Sequence, residues 1–178
     1  MNFFNNMPAP RNLSEFDMQD DLEKYISEFR FRRQVSEYGI SFNEDNPDVR
    51  VFREVHIPEV KRRSDFIVSL GPRKVVNIEC KLIYSQELIN QAMDHLKWAP
   101  YSYICIPVWE YVPSFRIREV ANSQLGLIYW TPERKFIEAI PADYNKEYDK
   151  VLRKTIIDRI NKRISTEKEV KGQKVLFQ

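Results

Sequence analysis

Apolar positions in the first part of the chain recur at helical spacing. Leu22, Ile26 and Phe29 share one face of a predicted helix over residues 14–38, and polar or charged residues occupy its other faces. The following residues, 40–48, combine turn-forming side chains with no periodicity, which is typical of an exposed loop. The chain therefore begins with an amphipathic helix that needs a partner surface.

The middle of the chain alternates between short apolar runs and one more helical pattern. Runs at 51–57, 65–70 and 75–83 are rich in Val, Ile and Phe and predict three strands of an antiparallel meander. Residues 85–98 have helical spacing, and the apolar run 101–108 predicts a buried strand. A helix between two strands implies a crossover, so the last two of these strands should be parallel.

The remainder predicts a short helix over 115–123, a hairpin of strands 126–130 and 136–140, and a final amphipathic helix over 144–164. The order of elements indicates an α/β fold, with a mixed β-sheet of about five to six strands flanked by helices.

Length and composition favour one domain. A chain of 178 residues with 43% hydrophobic residues can bury one sizeable core, which we expect within residues 1–164, with a central part over about 14–140 and the last helix packed on it. Residues 165–178 are predicted to be a flexible tail. Their end, KVLFQ, resembles the remnant left when a picornaviral 3C protease removes a purification tag.

Charge and cysteine content limit the function classes. The formal net charge is +2, so any affinity for a polyanion must come from a local patch. The sequence has neither a run of about 18 apolar residues nor a signal-peptide pattern, which predicts an intracellular protein without a membrane span. Cys80 and Cys105 lie in apolar strand runs and are expected to be free thiols in a reducing compartment. Two Cys and two His at unrelated spacings do not form a structural zinc site.

Two charged residues interrupt the most apolar predicted strand. Glu79 and Lys81 are two positions apart, so in a continuous strand both side chains leave the same face, opposite Ile78 and Cys80. A charged pair on such a strand is costly unless water, partner residues or a metal ion compensate it.

A third charge is placed by hairpin geometry. If the turn between the two strands is centred near Pro72, Asp65 lies opposite Glu79, where Cβ atoms are about 4.5–5.5 Å apart. Two like charges at this spacing destabilise a sheet unless a cation lies between them. Mg²⁺ accepts two carboxylates together with water and phosphate oxygens, and Mn²⁺ is also suitable. The alternative is an ordinary surface cluster of ion pairs on a half-exposed sheet.

The sequence RSD ending at Asp65, followed by NIECK containing Glu79 and Lys81, resembles the signature of the PD-(D/E)XK nucleases. This superfamily includes restriction endonucleases and archaeal Holliday-junction resolvases. The resemblance implies a restriction-endonuclease-like sheet and Mg²⁺-dependent hydrolysis of DNA, in DNA repair, recombination or the processing of phage DNA. It implies that Asp65 and Glu79 bind the metal with the backbone carbonyl of Cys80, and that Lys81 orients water or stabilises charge.

The resemblance also suggests outer members of the site. Gln91 and His95 are similar to a Gln-x-x-x-Tyr element of several nuclease branches, with His95 in place of the tyrosine. In resolvase-like members an acidic residue comes from the first helix, about three turns before the glycine that ends it. Glu28 matches this position best, and Glu23 is the second choice.

Basic residues near these positions are candidates for contacts with DNA phosphates, although an ordinary charged turn would have the same composition. The resemblance leaves open whether the DNA is duplex, branched or single-stranded and whether the chain acts as a homodimer. A second hypothesis is a nuclease-fold module that binds nucleic acid or a protein without cutting. The candidate phosphate-binding residues are Lys61, Arg62, Arg63 and Arg33.

Overall fold

The structure is a computed structural model that describes residues 13–27, 49–70 and 74–175. Four helices and six strands lie in these segments. In chain order they are α1 (Glu15–Ser27), β1 (Val49–Ile57), β2 (Arg62–Leu70), β3 (Val75–Cys80), α2 (Gln86–His95), β4 (Tyr101–Pro107), α3 (Ser114–Asn122), β5 (Gly126–Trp130), β6 (Phe136–Ile140) and α4 (Lys150–Val175).

The six strands form one sheet in the order β1-β2-β3-β4-β5-β6. Antiparallel pairing joins β1 to β2, β2 to β3 and β5 to β6, whereas β3, β4 and β5 are parallel to one another. The parallel pairs are connected through α2 and α3, as strand crossovers require. The predicted α/β class, with a mixed sheet flanked by helices, is confirmed.

Helices cover both faces of this sheet. On one face, the apolar stripe of α1, which includes Met18, Leu22 and Ile26, packs against β2, β3, β4 and β5. On the other face, α2 packs over β4 and β5, and α4 packs with Trp98 against apolar side chains of β1, β2 and β3. Both faces of the central strands are therefore buried, which explains why their sequences are continuously apolar and do not alternate.

Most predicted elements are present with small differences at their ends. Ser85 is the N-cap of α2, because its hydroxyl accepts the Leu88 N–H at 3.2 Å. The final helix begins at Lys150 and not at residue 144, because Asp149 caps it by accepting backbone N–H groups. That helix continues to Val175, into the segment for which a flexible tail was predicted.

Two predictions for the first part of the chain, a helix continuing over residues 28–38 and a loop over 40–48, lie outside the described residues. Among the described helices, none combines the length and the apolar character needed to cross a lipid bilayer.

Candidate functional site

The regular pairing of β2 is interrupted at Asp65. In the β2–β3 ladder, Phe66 pairs with Ile78, and the ladder ends there, one residue before Asp65 and Glu79. The register predicted from the turn is confirmed for the paired residues, Phe66 to Ser69 with Val75 to Ile78. On the other side of β2, pairing with β1 omits Glu54, which has a φ of 51° in the left-handed region. The backbone around Asp65 thus departs from a regular ladder on both sides.

This interruption lets the Asp65 carboxylate bind the backbone of the neighbouring strand. Its Oδ2 atom accepts the N–H of Cys80 at 2.8 Å. Asp65 is 6% exposed and Glu79 is 1% exposed. Burial and the negative charge of Glu79 raise the pKa of Asp65 from 3.8 to about 6, although the Cys80 N–H and the charge of Lys81 act in the opposite direction. The two carboxylates therefore form a buried pair of like charges.

Lys81 lies beside this pair but is held by another residue. Its Nζ atom is 2.8 Å from Glu15 Oε1, and both side chains are 36% exposed. Partial burial lowers the pKa of Lys81, but the hydrogen bond to Glu15 and the charges of Asp65 and Glu79 outweigh it and raise that pKa. Because Asp65 and Glu79 both act on this ammonium, the three predicted residues share one electrostatic site.

Lys81 directly follows β3, which ends at Cys80, and its ammonium meets α1. Glu15 belongs to the first turn of α1, the helix that packs on the face of Ile78 and Cys80. No local sequence pattern marks Glu15 as a partner, because its contact with Lys81 joins residues far apart in the chain.

His95, which the resemblance placed with Gln91 among the outer members of the site, contacts Glu79 directly. It lies at the end of α2, is fully buried, and places Nε2 at 3.2 Å from Glu79 Oε1. Its Nδ1 atom accepts the indole N–H of Trp98 at 3.0 Å. The Nε2 and Oε1 atoms are close, but the contact does not have hydrogen-bond geometry. Within the described part of the chain, neither atom has a hydrogen-bond partner.

The remaining catalytic candidates are Gln91 and Glu28, with Glu23 as the alternative to Glu28. Glu28 lies outside the described residues, and Glu23 accepts a hydrogen bond from Arg53 at 3.1 Å. Gln91 is half-buried on α2, one helical turn before His95 and on the same side of the helix. The proposed roles of Glu28 and Gln91 remain predictions.

Three of the four predicted phosphate-binding residues lie among the described residues, and their surroundings differ. Arg62 is engaged by two acidic residues of α2, at 2.6 Å from Glu87 and 3.0 Å from Asp94. Lys61 and Arg63 are exposed, and Arg63 is 3.9 Å from Glu54. Arg33 lies outside the described residues.

The oxygen atoms at the site are suited to a hard divalent cation. Two carboxylates, of Asp65 and Glu79, and the predicted backbone carbonyl of Cys80 are the kind of partial ligand set that Mg²⁺ completes with water and substrate oxygens. The burial of both carboxylates and the raised pKa of Asp65 beside Glu79 fit such a cation. Among the described residues, no group of three or more His, Cys, Asp or Glu side chains is arranged as a closed metal site.

Comparisons with known proteins add little to this picture. No protein-family model matches the chain, and no curated protein matches it. A solved structure of a protein of unknown function from Silicibacter pomeroyi is similar, with 17% identity and a TM-score of 0.46, over 70% of this chain and 82% of that chain. A similarity at this level carries no functional argument, so the function has to be argued from the residues of the site.

Proposed function

We propose that this chain is a Mg²⁺-dependent nuclease of the PD-(D/E)XK type that hydrolyses phosphodiester bonds of DNA, with Mn²⁺ as an alternative ion. The observation that carries the proposal is the buried pair of Asp65 and Glu79. Both carboxylates are almost fully buried at the end of the β2–β3 ladder, and burial together with the charge of Glu79 raises the pKa of Asp65 to about 6. A cation bound between the two carboxylates would relieve this repulsion.

The charges around this pair also favour a divalent ion. Glu15, Asp65 and Glu79 contribute three carboxylates, whereas Lys81 contributes one ammonium, which leaves an excess of two negative charges. Lys81 is hydrogen-bonded to Glu15 and not to either buried carboxylate. A purely structural ion-pair cluster would be expected to pair its most buried charges first, since these have the highest desolvation cost.

Each residue has a defined role in this proposal. Asp65 and Glu79 hold the ion, and the Cys80 N–H fixes the orientation of the Asp65 carboxylate. The bound ion supplies activation of a water molecule and stabilisation of charge on the phosphate. Lys81, partly exposed at the rim, orients that water or neutralises charge on the phosphate, and Glu15 fixes the position of its ammonium.

DNA would approach from the side on which Lys81 and Glu15 are exposed. Lys61 and Arg63 lie at the start of the segment that carries Asp65 and are free of short ion pairs to described residues, so they are suited to bind flanking phosphates. Arg62 could do so only by giving up its contacts with Glu87 and Asp94. Arg62 therefore contributes more to the packing of α2 than to DNA affinity.

A second candidate function is a nuclease-fold module that binds nucleic acid or a protein without cutting. The observation in its favour is that solvent hardly reaches Glu79 and that the ammonium of Lys81 already has a partner. Glu79 is 1% exposed, and the ammonium of Lys81 is already bonded to Glu15. In this case the acidic pair would bind a divalent ion weakly or not at all, whereas binding of a partner would continue.

The first experiment measures cleavage of single-stranded, duplex and branched DNA in the presence of Mg²⁺ or Mn²⁺. Asp65→Asn, Glu79→Gln and Lys81→Met should each reduce the rate by about 100-fold or more, since each removes a group that binds the ion or stabilises the transition state. Glu87→Gln is the matched control, because it neutralises a carboxylate of α2 whose ion-pair partner among the described residues is the outer residue Arg62. Equal cleavage by the wild type and the three site variants would contradict the proposal.

The second experiment separates the two candidate functions by titration calorimetry with Mn²⁺ and with DNA. The nuclease proposal requires Mn²⁺ binding that is lost in Asp65→Asn and Glu79→Gln. DNA binding with a steep salt dependence, without Mn²⁺ binding and without cleavage, would support the non-catalytic module.

A further inference from the structure

The side chain of His95 is held between an indole and a carboxylate. Trp98 Nε1 lies 3.0 Å from His95 Nδ1, and the two rings meet edge to face at 85°. An indole nitrogen can only donate a hydrogen bond. Nδ1 must therefore carry a lone pair, and the ring proton of a neutral imidazole must be on Nε2.

The assignment of this tautomer changes the meaning of the contact with Glu79. His95 Nε2 is 3.2 Å from Glu79 Oε1, a distance that suggests an ion pair at first sight. A doubly protonated ring would direct its Nδ1–H at the Trp98 N–H across 3.0 Å, which places two donors face to face. The contact therefore places the Nε2–H of His95, and not a lone pair, opposite Oε1 of Glu79.

The imidazole of His95, which carries the Nε2–H donor, is fixed in place by its surroundings. Trp98 is fully buried in an apolar cluster between the sheet and α4, and the backbone N–H groups of Trp98 and Ala99 both donate to the carbonyl of His95. Rotation of the imidazole would break the Trp98 bond inside this cluster. The carboxylate of Glu79 is the more adjustable partner, because its outer torsions turn without moving the strand. The other members of the cluster are Ile57, Ile67, Val75, Ile156 and Ile160.

We propose that His95 is a positioning residue for the metal site. Its Nε2–H donates to Oε1 of Glu79 when the carboxylate turns by a small angle, and this bond would fix the orientation of the carboxylate that, together with Asp65, would hold the ion. The inference rests on the proposed function, since it concerns the same ion. Outer hydrogen bonds to ligating carboxylates orient them, and removing such a partner typically costs about 10–100-fold in metal affinity.

This arrangement excludes direct ligation by His95 in the observed orientation. Ligation through Nε2 needs a lone pair on that atom, and the Trp98 bond keeps the proton there. His95 thus acts on the ion through Glu79 alone, and Trp98 acts on His95 by fixing its tautomer.

The first test determines the tautomer by long-range ¹H–¹⁵N correlation spectroscopy of the metal-free protein. The chain has two histidines, so a His56→Gln variant assigns the signals of His95. We expect a protonated Nε2 and an unprotonated Nδ1, with the same pattern after addition of Mg²⁺. In Glu79→Gln the Nε2 proton should shift measurably, because it loses a charged acceptor. A protonated Nδ1, or an unprotonated Nε2 that responds to the ion, would overturn the proposal.

The second test measures Mn²⁺ affinity by calorimetry. His95→Phe removes the donor and should weaken binding by about 10–100-fold. His95→Gln retains an N–H donor near the position of Nε2 and should stay within about threefold of the wild type. His56→Gln, which changes an exposed histidine of β1, is the matched control and should bind normally. Equal affinities of the wild type and a folded His95→Phe would overturn the positioning role.

The outcomes of these tests can be distinguished from failure of the proposed function. If the wild type binds no divalent ion, the nuclease proposal fails. The tautomer and its response to Glu79→Gln would then still report on the contact between His95 and Glu79. If His95→Phe does not fold, the comparison of His95→Gln with His95→Asn replaces it, since the amide of Asn does not reach the position of Nε2. Equal affinity in those two variants would also overturn the proposal.

Discussion

Replacing Asp65 with asparagine should stabilise the metal-free protein at alkaline pH. The pKa of Asp65 is raised from 3.8 to about 6 by burial and by the charge of Glu79, so the folded state binds a proton more tightly than the unfolded state does. The resulting stability is fully present below pH 4 and is lost as the pH rises through about 6. Above that pH, the buried ionised carboxylate lowers the free energy of unfolding. Asparagine is neutral and avoids this loss.

The magnitude follows from the same two values. Each tenfold change in an acid dissociation constant corresponds to about 1.4 kcal/mol, so the change from 3.8 to about 6 amounts to at most about 3 kcal/mol. Asparagine retains a carbonyl oxygen that can accept the Cys80 N–H, which keeps the hydrogen bond of the wild type. At pH 8, Asp65→Asn should therefore unfold with a free energy about 2–3 kcal/mol higher than the wild type, and near pH 4 the two should be similar.

The assay is equilibrium urea denaturation between pH 4 and pH 8 with a chelator present. Asp94→Asn is a suitable control, because its effect on the free energy of unfolding at pH 8 should have the opposite sign. Burial raises the pKa of Asp94, but the hydrogen bonds from Lys97 and Arg62 outweigh it and lower that pKa. The stabilising contribution of the Asp94 carboxylate is therefore present at neutral pH and is lost in acid. Asp94→Asn should thus destabilise the protein at pH 8. If Asp65→Asn is less stable than the wild type at pH 8, or if its effect is independent of pH, the argument from repulsion is refuted.

Three further predictions concern the same region and the opposite end of the sheet. Lys81→Met should raise the pKa of Asp65 above about 6, because it removes a positive charge that lowers this pKa. A ¹³C titration of the Asp65 carboxyl in metal-free protein measures the change, and an unchanged midpoint would contradict the proximity of Lys81 to Asp65. Tyr103→Phe should lower the free energy of unfolding by about 1–3 kcal/mol, because the phenol donates to Glu138 Oε1 at 2.6 Å and the other carboxylate oxygen already lacks a partner among the described residues. Urea denaturation tests this, and a loss below about 0.5 kcal/mol would mean that the bond contributes little. Gly126→Ala should destabilise the fold by at least about 1–3 kcal/mol. The Cβ of the alanine would lie 2.2 Å from the Tyr103 ring and 2.9 Å from the backbone nitrogen of Ala142. A thermal melt unchanged by this substitution would show that the ring moves aside at no cost.

The parts of the site that could be predicted from sequence are those governed by local geometry. The strand pattern and the turn near Pro72 were sufficient to predict the register in which Phe66 pairs with Ile78, since pairing in a hairpin follows from its centre. Alternation along the strand did not identify the partner of Lys81, whose ammonium is bonded to Glu15 and not to either buried carboxylate.

The contacts of Glu15 and His95 depend on tertiary packing. Glu15 meets Lys81 because α1 crosses the sheet in one particular direction, and helix periodicity shows only which face is buried. His95 is a polar residue on the buried stripe of α2, in line with Leu88 and Ala92. A buried histidine at that position is a signal that it has a partner, but the sequence does not reveal whether the partner is Trp98, Glu79 or both.

Cys80 links the chemistry of the site to the mechanical rigidity of the protein interior. Its N–H binds Asp65, whereas its side chain is fully buried and pairs across the sheet with Cys105. The spacing of the two carboxylates is therefore set by a close-packed interior, which deforms little, and not by the loops at the rim. If the proposed metal site is correct, this separates two engineering tasks. The rim can be redesigned while the spacing of the two carboxylates is kept, whereas enlarging the buried side chain of Cys80 or Cys105 would change that spacing without altering either carboxylate.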